Sequence, residues 1–387
     1  MTKLRDTLDT YVGNGSVPGA VGLVARGDRV EVQVVGSVDV EGSAPMARDS
    51  IFRLASITKP IVAAATMMLV EDGLISLDDP VEKWLPELAS RSVVRTPASQ
   101  VDDVVPAARP ITVIDLLDFR AGYGFPDDFS LPAVELLLHD VQMFGRDPAL
   151  IPAPDEWMAL LSRVPLLHQP GDAWLYNTCS DIQGVLIARV SGRTLPEFLA
   201  ERLFEPLGMV DTGFTVPVTK LDRFTSYYQI DPAGGLGLAE APDPNGPWSR
   251  PPVFPSGAGG LVGTVDDWHA FARMLLSEGT VHGRHVMSPA SVRQMTTDRI
   301  TQSQRDASRL FLEGQGWGFG GSVDVADIDP WNVRGRYGWV GGTGTTAHIT
   351  PSTGAVTILL SQVAMTGPTP TALMRDFWRG AASGPEV

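Results

Sequence analysis

The chain has 387 residues, of which 43% are apolar and 19% charged, and a formal net charge of −15. This is a globular balance at a length that supplies a large core or two intertwined lobes. The charge excludes nucleic acid as an expected partner, because binding a phosphate backbone needs a clustered basic face and no Lys/Arg cluster is present.

In chain order, "MTKLRDTLDTYVGNG" reads as an amphipathic helix stopped near a glycine. It lacks the apolar core of a signal peptide, so a cytoplasmic setting is expected. "AVGLVARGDRVEVQVVGSVDV" holds two β-rich stretches around Gly27-Asp28, a hairpin signal. Strands and turns continue to about Leu54. "PIVAAATMMLV" then reads as a buried helix, too short to span a bilayer. No membrane association is expected.

The middle of the chain, roughly 56–265, carries the helical patterns "DLLDFRAGYG", "SDIQGVLIARVSG" and "LPEFLAERLFEPLGM", each closed by Gly or Pro. Long Pro-rich stretches separate them and bear Tyr123, Trp157 and Trp248, suited to the walls of a pocket. A helix capped by Thr264 follows. Strands return in "GWGFGGSVDV", "YGWVGGTGTTAHITP" and "AVTILLSQV", and the helix "TALMRDFWRGAA" closes the chain. Strands at both ends with helices between predict an α+β fold: an antiparallel sheet built from both termini, with flanking helices and an inserted, mainly helical lobe. The expected division is 1–75 with 260–387 for the sheet and 76–259 for the helical part.

Within "IFRLASITKPIVAAATMMLVEDG", Ser56 precedes Lys59 by three residues and Pro60 follows. Residues three apart share one helix face, and proline fits a first helical turn. Ser56 would then sit at a helix mouth, where the dipole and free N–H groups favour developing negative charge. A serine hydroxyl becomes a useful nucleophile when a base takes its proton. Lysine is such a base only if its pKa falls toward neutrality, a change worth about 4 kcal/mol. Burial against an apolar helix supplies that push. A capping serine beside a solvated lysine would look the same in isolation.

Two further stretches give the pair company. Tyr176, in "QPGDAWLYNTCSDIQGVLIARVSG", stands on a loop before a helix and could relay protons. "YGWVGGTGTTAHITP" carries Gly341, Gly342 and Gly344 inside a strand pattern. An edge strand there could offer an N–H to an oxyanion hole; a bulge or tight turn is the plainer alternative.

Together, in this order, these pieces resemble the serine β-lactamase and penicillin-binding-protein superfamily, and within it the class C β-lactamase-like esterases, or family VIII carboxylesterases. "ITVIDLLDFRAGY", "PGDAWLYN", "FEPLGMVDTGF" and "SGAGGLVGTVDDWHAF" are similar to family landmarks, in family order. The resemblance implies Ser56 as nucleophile, Lys59 and Tyr176 sharing the base work, an acyl-serine intermediate, and an oxyanion hole from the N–H groups of Ser56 and Gly342. It further implies substrate contacts from Trp339, Gly341, Thr178 and Asn177, and the loop position of Tyr123 adds that residue to the expected substrate contacts.

Two departures stand out. The second motif usually reads Tyr-x-Asn, but here Thr178 occupies the amide position and Asn177 precedes it. The third has Trp339 where β-lactamases have lysine, offering an apolar plate and one N–H donor. This points to short-to-medium-chain, uncharged carboxylic esters as small-molecule substrates. The alternatives are acyl transfer, amide hydrolysis, weak β-lactamase activity, or a non-catalytic binding protein of the same fold.

No Gly-x-Ser-x-Gly elbow, His-Glu-x-x-His pattern or dinucleotide fingerprint appears, so neither cofactor nor metal is expected. The histidines are His139, His168, His269, His282, His285 and His348, the last read as a strand residue facing solvent. Cys179 leaves no intrachain disulfide to form and reads as a small buried hydrophobe. Trp174 reads equally as substrate wall or core. Nothing in the sequence sets the oligomeric state.

Overall fold

The computed structural model describes residues 3–142, 151–281 and 283–383; His282 lies outside them. A seven-stranded antiparallel sheet takes its strands from both ends of the chain. From the N-terminal end come β1 (Gly19–Arg26) and β2 (Arg29–Gly36). From the C-terminal end come β3 (Gly316–Trp317), β4 (Ser322–Val323), β5 (Tyr337–Gly341), β6 (Thr345–Thr350) and β7 (Ala355–Ser361). The spatial order is β3-β4-β5-β6-β7-β1-β2. The termini therefore meet where β1 pairs with β7, Ala20 opposite Ser361 through Arg26 opposite Ala355.

The β1–β2 hairpin turns on Gly27-Asp28, as its sequence predicts, with Arg26 opposite Arg29 and Gly27 at φ +56°. Seven of the eight β1 residues are buried, because both faces of the strand are covered. Helices α1 (Lys3–Gly13) and α5 (Ala372–Ala382) pack on one face, where Leu8 and Phe377 close over Gly22. On the other lies α4 (Val265–Leu276), capped by Thr264, whose hydroxyl accepts from the Asp267 N–H at 3.2 Å.

Between the two halves of the sheet run α2 (Lys59–Glu71) and α3 (Thr178–Ser191), which pack on each other. Every α2 residue from Lys59 to Leu69 is buried. A helix apolar all round belongs in a protein interior, and this one carries its lysine with it. The intervening region also holds short ladders: Ser92–Val94 pairs with Val104–Pro106, and Tyr227–Ile230 with Leu236–Glu240.

The glycine-rich strand differs from expectation in one respect. β5 is not an edge strand, since β4 pairs with it at Tyr337 and Gly338. β4 is only two residues long, however, so from Trp339 onward that side of β5 faces the turn bearing Ser56. The approach is close. A Cβ on Gly341 would stand 2.5 Å from the Leu54 carbonyl oxygen and 2.2 Å from Thr345 Oγ1. Gly341 is thus needed for contact between strand and turn, not for contact with substrate.

Gly341→Ala is expected to push β5 away from that turn. The predicted outcome is a loss of about 1–3 kcal/mol in denaturant unfolding, with a larger proportional loss of serine reactivity. Unchanged stability and reactivity would contradict the close-approach reading.

Candidate active site

Ser56 lies in a 3₁₀ turn, Ala55–Thr58, that leads straight into α2. In a 3₁₀ turn residues i and i+3 eclipse, and Lys59 Nζ stands 2.9 Å from Ser56 Oγ. Ala55 enters the turn at φ +47°, a left-handed value that an alanine adopts only when its surroundings enforce it. The loop 256–260 supports the turn from below. Its Gly257 lies so close to α3 that a Cβ would meet the Ser180 carbonyl oxygen at 2.2 Å. This is a physical reason for glycine in "SGAGG".

Lys59 is fully buried and has three partners: Ser56 Oγ, Asn177 Oδ1 at 2.8 Å and the Ala258 carbonyl at 2.6 Å. Burial pulls its pKa from 10.5 to about 7, against a smaller opposing pull from the Asp181 carboxylate. The donor count fits both protonation states. A neutral amine gives its two N–H bonds to the two carbonyl oxygens, leaving its lone pair for the serine proton. An ammonium donates to all three.

Tyr176 is buried beside the pair, its ring centroid 4.7 Å from Lys59 Nζ, and it shares a hydrogen bond with Ser56. Trp339 Nε1 donates to the Tyr176 hydroxyl at 2.7 Å. The indole N–H is therefore spent on the tyrosine and not on substrate. Burial pushes Tyr176 up to about 12, the hydrogen bonds to Ser56 and Trp339 pulling the other way.

Asn177, the residue before α3, has φ +83° and ψ −67°. The unusual backbone brings its amide to Lys59, so it takes up a position that the sequence pattern assigns one residue later. Thr178 is instead fully buried as the first residue of α3 and does not line the cavity. Tyr123 is also internal: its hydroxyl accepts from Arg91 Nε at 2.9 Å and donates to the Val164 carbonyl at 3.1 Å. The expected substrate contacts from Thr178 and Tyr123 are corrected on these grounds. Each is committed to packing behind the wall.

A cavity of about 940 Å³ opens over Ser56, Tyr176, Asn177, Trp339 and Gly342. Trp157 and Trp248 line it as expected, together with Phe125, Phe129, Phe254 and Phe311. Trp174 belongs to the core, stacked on Phe119 and edge-on to Trp317. His348 is buried, not solvent-facing. It sits against Thr346 and edge-on to Trp378, with its pKa driven well below 6.5 by burial and by Arg336. Cys179 is buried, and its thiol pKa is raised by desolvation. Among the described residues no group of three or more His, Cys, Asp or Glu side chains is placed to hold a metal ion, and no helix is long and apolar enough to cross a membrane.

Sequence reasoning missed the Ala258 carbonyl and Asp181. Asp181 Oδ1 accepts from Ser256 Oγ at 2.7 Å and from the Ala258 N–H at 3.0 Å, and so fixes the peptide segment whose carbonyl meets Lys59. The signal available was the "SGAGG" run itself, legible as a landmark but not as a partner of a lysine 199 residues away.

The chain is similar to several known proteins. Protein Rv1367c of Mycobacterium tuberculosis is 37% identical over 360 residues, covering 90% of this chain and 86% of its own. Esterase EstB of Burkholderia gladioli is 30% identical over 400 residues, covering 96% and 93%. Among solved structures, EstCE1, described as a hydrolase with promiscuous acyltransferase activity, superposes with a TM-score of 0.80 at 24% identity over 98% of both chains. The family model Beta-lactamase matches residues 4–376. The chain belongs to the beta-lactamase family and has its β-lactamase/transpeptidase-like fold, in the company of esterases.

Proposed function

We propose that this protein is a serine carboxylesterase that forms an acyl-enzyme on Ser56. The observation that carries the reading is the fully buried Lys59 amine at 2.9 Å from Ser56 Oγ, with its remaining hydrogen bonds taken by carbonyl oxygens.

Lys59, near neutrality at pH 7, takes the Ser56 proton as Oγ attacks the ester carbonyl carbon. The carbonyl oxygen becomes an oxyanion that accepts from the N–H groups of Ser56 and Gly342, both on the cavity wall. When the intermediate collapses, the C–O bond to the alcohol breaks and the Tyr176 hydroxyl gives its proton to the departing oxygen. The Lys59 ammonium returns a proton to Tyr176, and the Trp339 N–H stabilises the phenolate in between. Water then attacks the acyl-serine with the same groups in reverse, releasing the acid.

The substrate is an uncharged ester. The described cavity wall is mainly aromatic and aliphatic and includes no Lys, Arg or His side chain, while Asp181 contributes a carboxylate. Among the described wall residues a carboxylate-bearing β-lactam finds no cationic partner. Short and medium acyl chains fit easily, and about 940 Å³ is room for considerably larger acids or alcohols. The same openness favours a second reading, transfer of the acyl group to an alcohol held in the apolar cavity in place of water. The proposed setting is the cytoplasm.

Ser56→Ala is expected to lower hydrolysis of a chromogenic short-chain ester by at least about 10³-fold and to abolish fluorophosphonate labelling. Retained turnover would end the proposal.

Lys59→Arg is expected to be nearly as damaging as Lys59→Ala, each by more than about 100-fold, because a guanidinium keeps its proton at working pH. In the wild type, kcat/KM should rise with pH as Lys59 loses its proton, with a midpoint near 7, and then stay level. Tyr176 remains protonated until about 12. Substantial activity in Lys59→Arg, or a profile flat from pH 5 to 9, would contradict the base assignment.

A further inference from the structure

β5 and the loop after it cross the cavity and give it two distinct ends. At one end Trp339 holds Tyr176, whose ring stacks on Phe311 at 4.8 Å and whose backbone pairs with Phe125. At the other, the Met365 N–H donates to the Gly342 carbonyl at 2.8 Å, and Thr343 Oγ1 donates to the Arg53 carbonyl at 2.6 Å. Tyr227, Ile230 and Trp248 form the wall there. Ser56 lies between the two ends, its turn packed against Gly341.

We infer that the wall formed by the Tyr227–Ile230/Leu236–Glu240 hairpin and Trp248 receives the acyl chain, and that the Arg53–Glu240 ion pair positions that wall and so sets which acyl groups fit. The inference rests on the acyl-serine reading above and deepens it. Three groups leave the tetrahedral carbon besides Ser56 Oγ. The oxyanion points to the Ser56 and Gly342 N–H groups. The leaving oxygen must reach the Tyr176 hydroxyl that protonates it, which sends the alcohol toward Phe125 and Phe311. The acyl chain takes the remaining direction, toward Trp248.

Arg53 sits behind this wall, three residues before the nucleophile. Its Nε donates to Glu240 Oε2 at 3.1 Å and its Nη1 to the Thr225 carbonyl at 2.7 Å. Its guanidinium lies 4.1 Å over the Phe224 ring, with Trp248 at 5.6 Å and Tyr227 at 5.7 Å. Glu240 Oε2 also accepts from Trp248 Nε1 at 3.0 Å. One carboxylate therefore joins the end of the hairpin, the wall indole and an arginine next to the Ser56 turn. Arg53 is 95% buried, and a buried guanidinium that loses its counter-ion is costly to keep in place. Without the Glu240 charge, the aromatic groups packed on Arg53 lose their fixed position. The wall is built for an uncharged acyl group bulky enough to reach it, branched or ring-bearing.

The test uses two ester series on wild type, Glu240→Gln and Trp248→Ala. One series keeps p-nitrophenol and lengthens or branches the acyl group from acetyl to octanoyl and cyclohexanecarbonyl. The other keeps acetyl and enlarges the alcohol. Fluorophosphonate titration normalises each preparation to intact sites. Both variants are expected to change the ratio of kcat/KM between the bulkiest and smallest acyl groups by about tenfold, while the corresponding alcohol ratio stays within about twofold of wild type. A change confined to the alcohol series would overturn the inference. So would an equal drop in every ester, the mark of a merely structural pair. A wild type that neither labels nor hydrolyses either series overturns the acyl-serine reading itself.

Discussion

The site depends on keeping one amine out of water. Lys59 is the first residue of a helix whose next ten residues are all buried, and no solvent reaches its Nζ to hold it charged. Its two carbonyl partners come from distant parts of the chain, Asn177 before α3 and Ala258 in the loop beneath it. Each of these depends on local backbone strain or close approach: an Asn177 at φ +83° and ψ −67°, the strained γ-turn region, and a Gly257 pressed onto the Ser180 carbonyl. Fold and electrostatics are coupled here, because the packing that buries α2 also pulls the pKa of its lysine down to about 7.

The sheet serves the same arrangement from the other side. β5 brings Gly341 against the Leu54 carbonyl, and Gly342 after it lines the same cavity as Ser56. Trp339, on the same strand, is a neutral donor to Tyr176. Its indole N–H holds the tyrosine oriented and brings no charge to the cavity.

Much of this was legible in the sequence wherever a local pattern carries the information. The Gly27-Asp28 hairpin, the apolar α2, the Thr264 cap and the Ser-x-x-Lys spacing are all short-range features, and each is found where its pattern puts it. What failed was placement across the chain. Tyr123 and Thr178 have the right residue types for a pocket, but their orientation depends on partners such as Arg91 and on the phase of α3. β5 read as an edge because pattern alone does not reveal a two-residue neighbour such as β4. Ala258 and the Arg53–Glu240 pair act through a carbonyl and a separation of 187 residues, neither of which leaves a local trace.

The chain has four lysines, Lys3, Lys59, Lys83 and Lys220, so the protonation of Lys59 can be read directly. In protein labelled with ¹⁵N at lysine Nζ, the resonance missing from a Lys59→Met variant should titrate in the wild type with a midpoint near pH 7. A Lys59 resonance that remains that of an ammonium up to pH 10 would contradict the account.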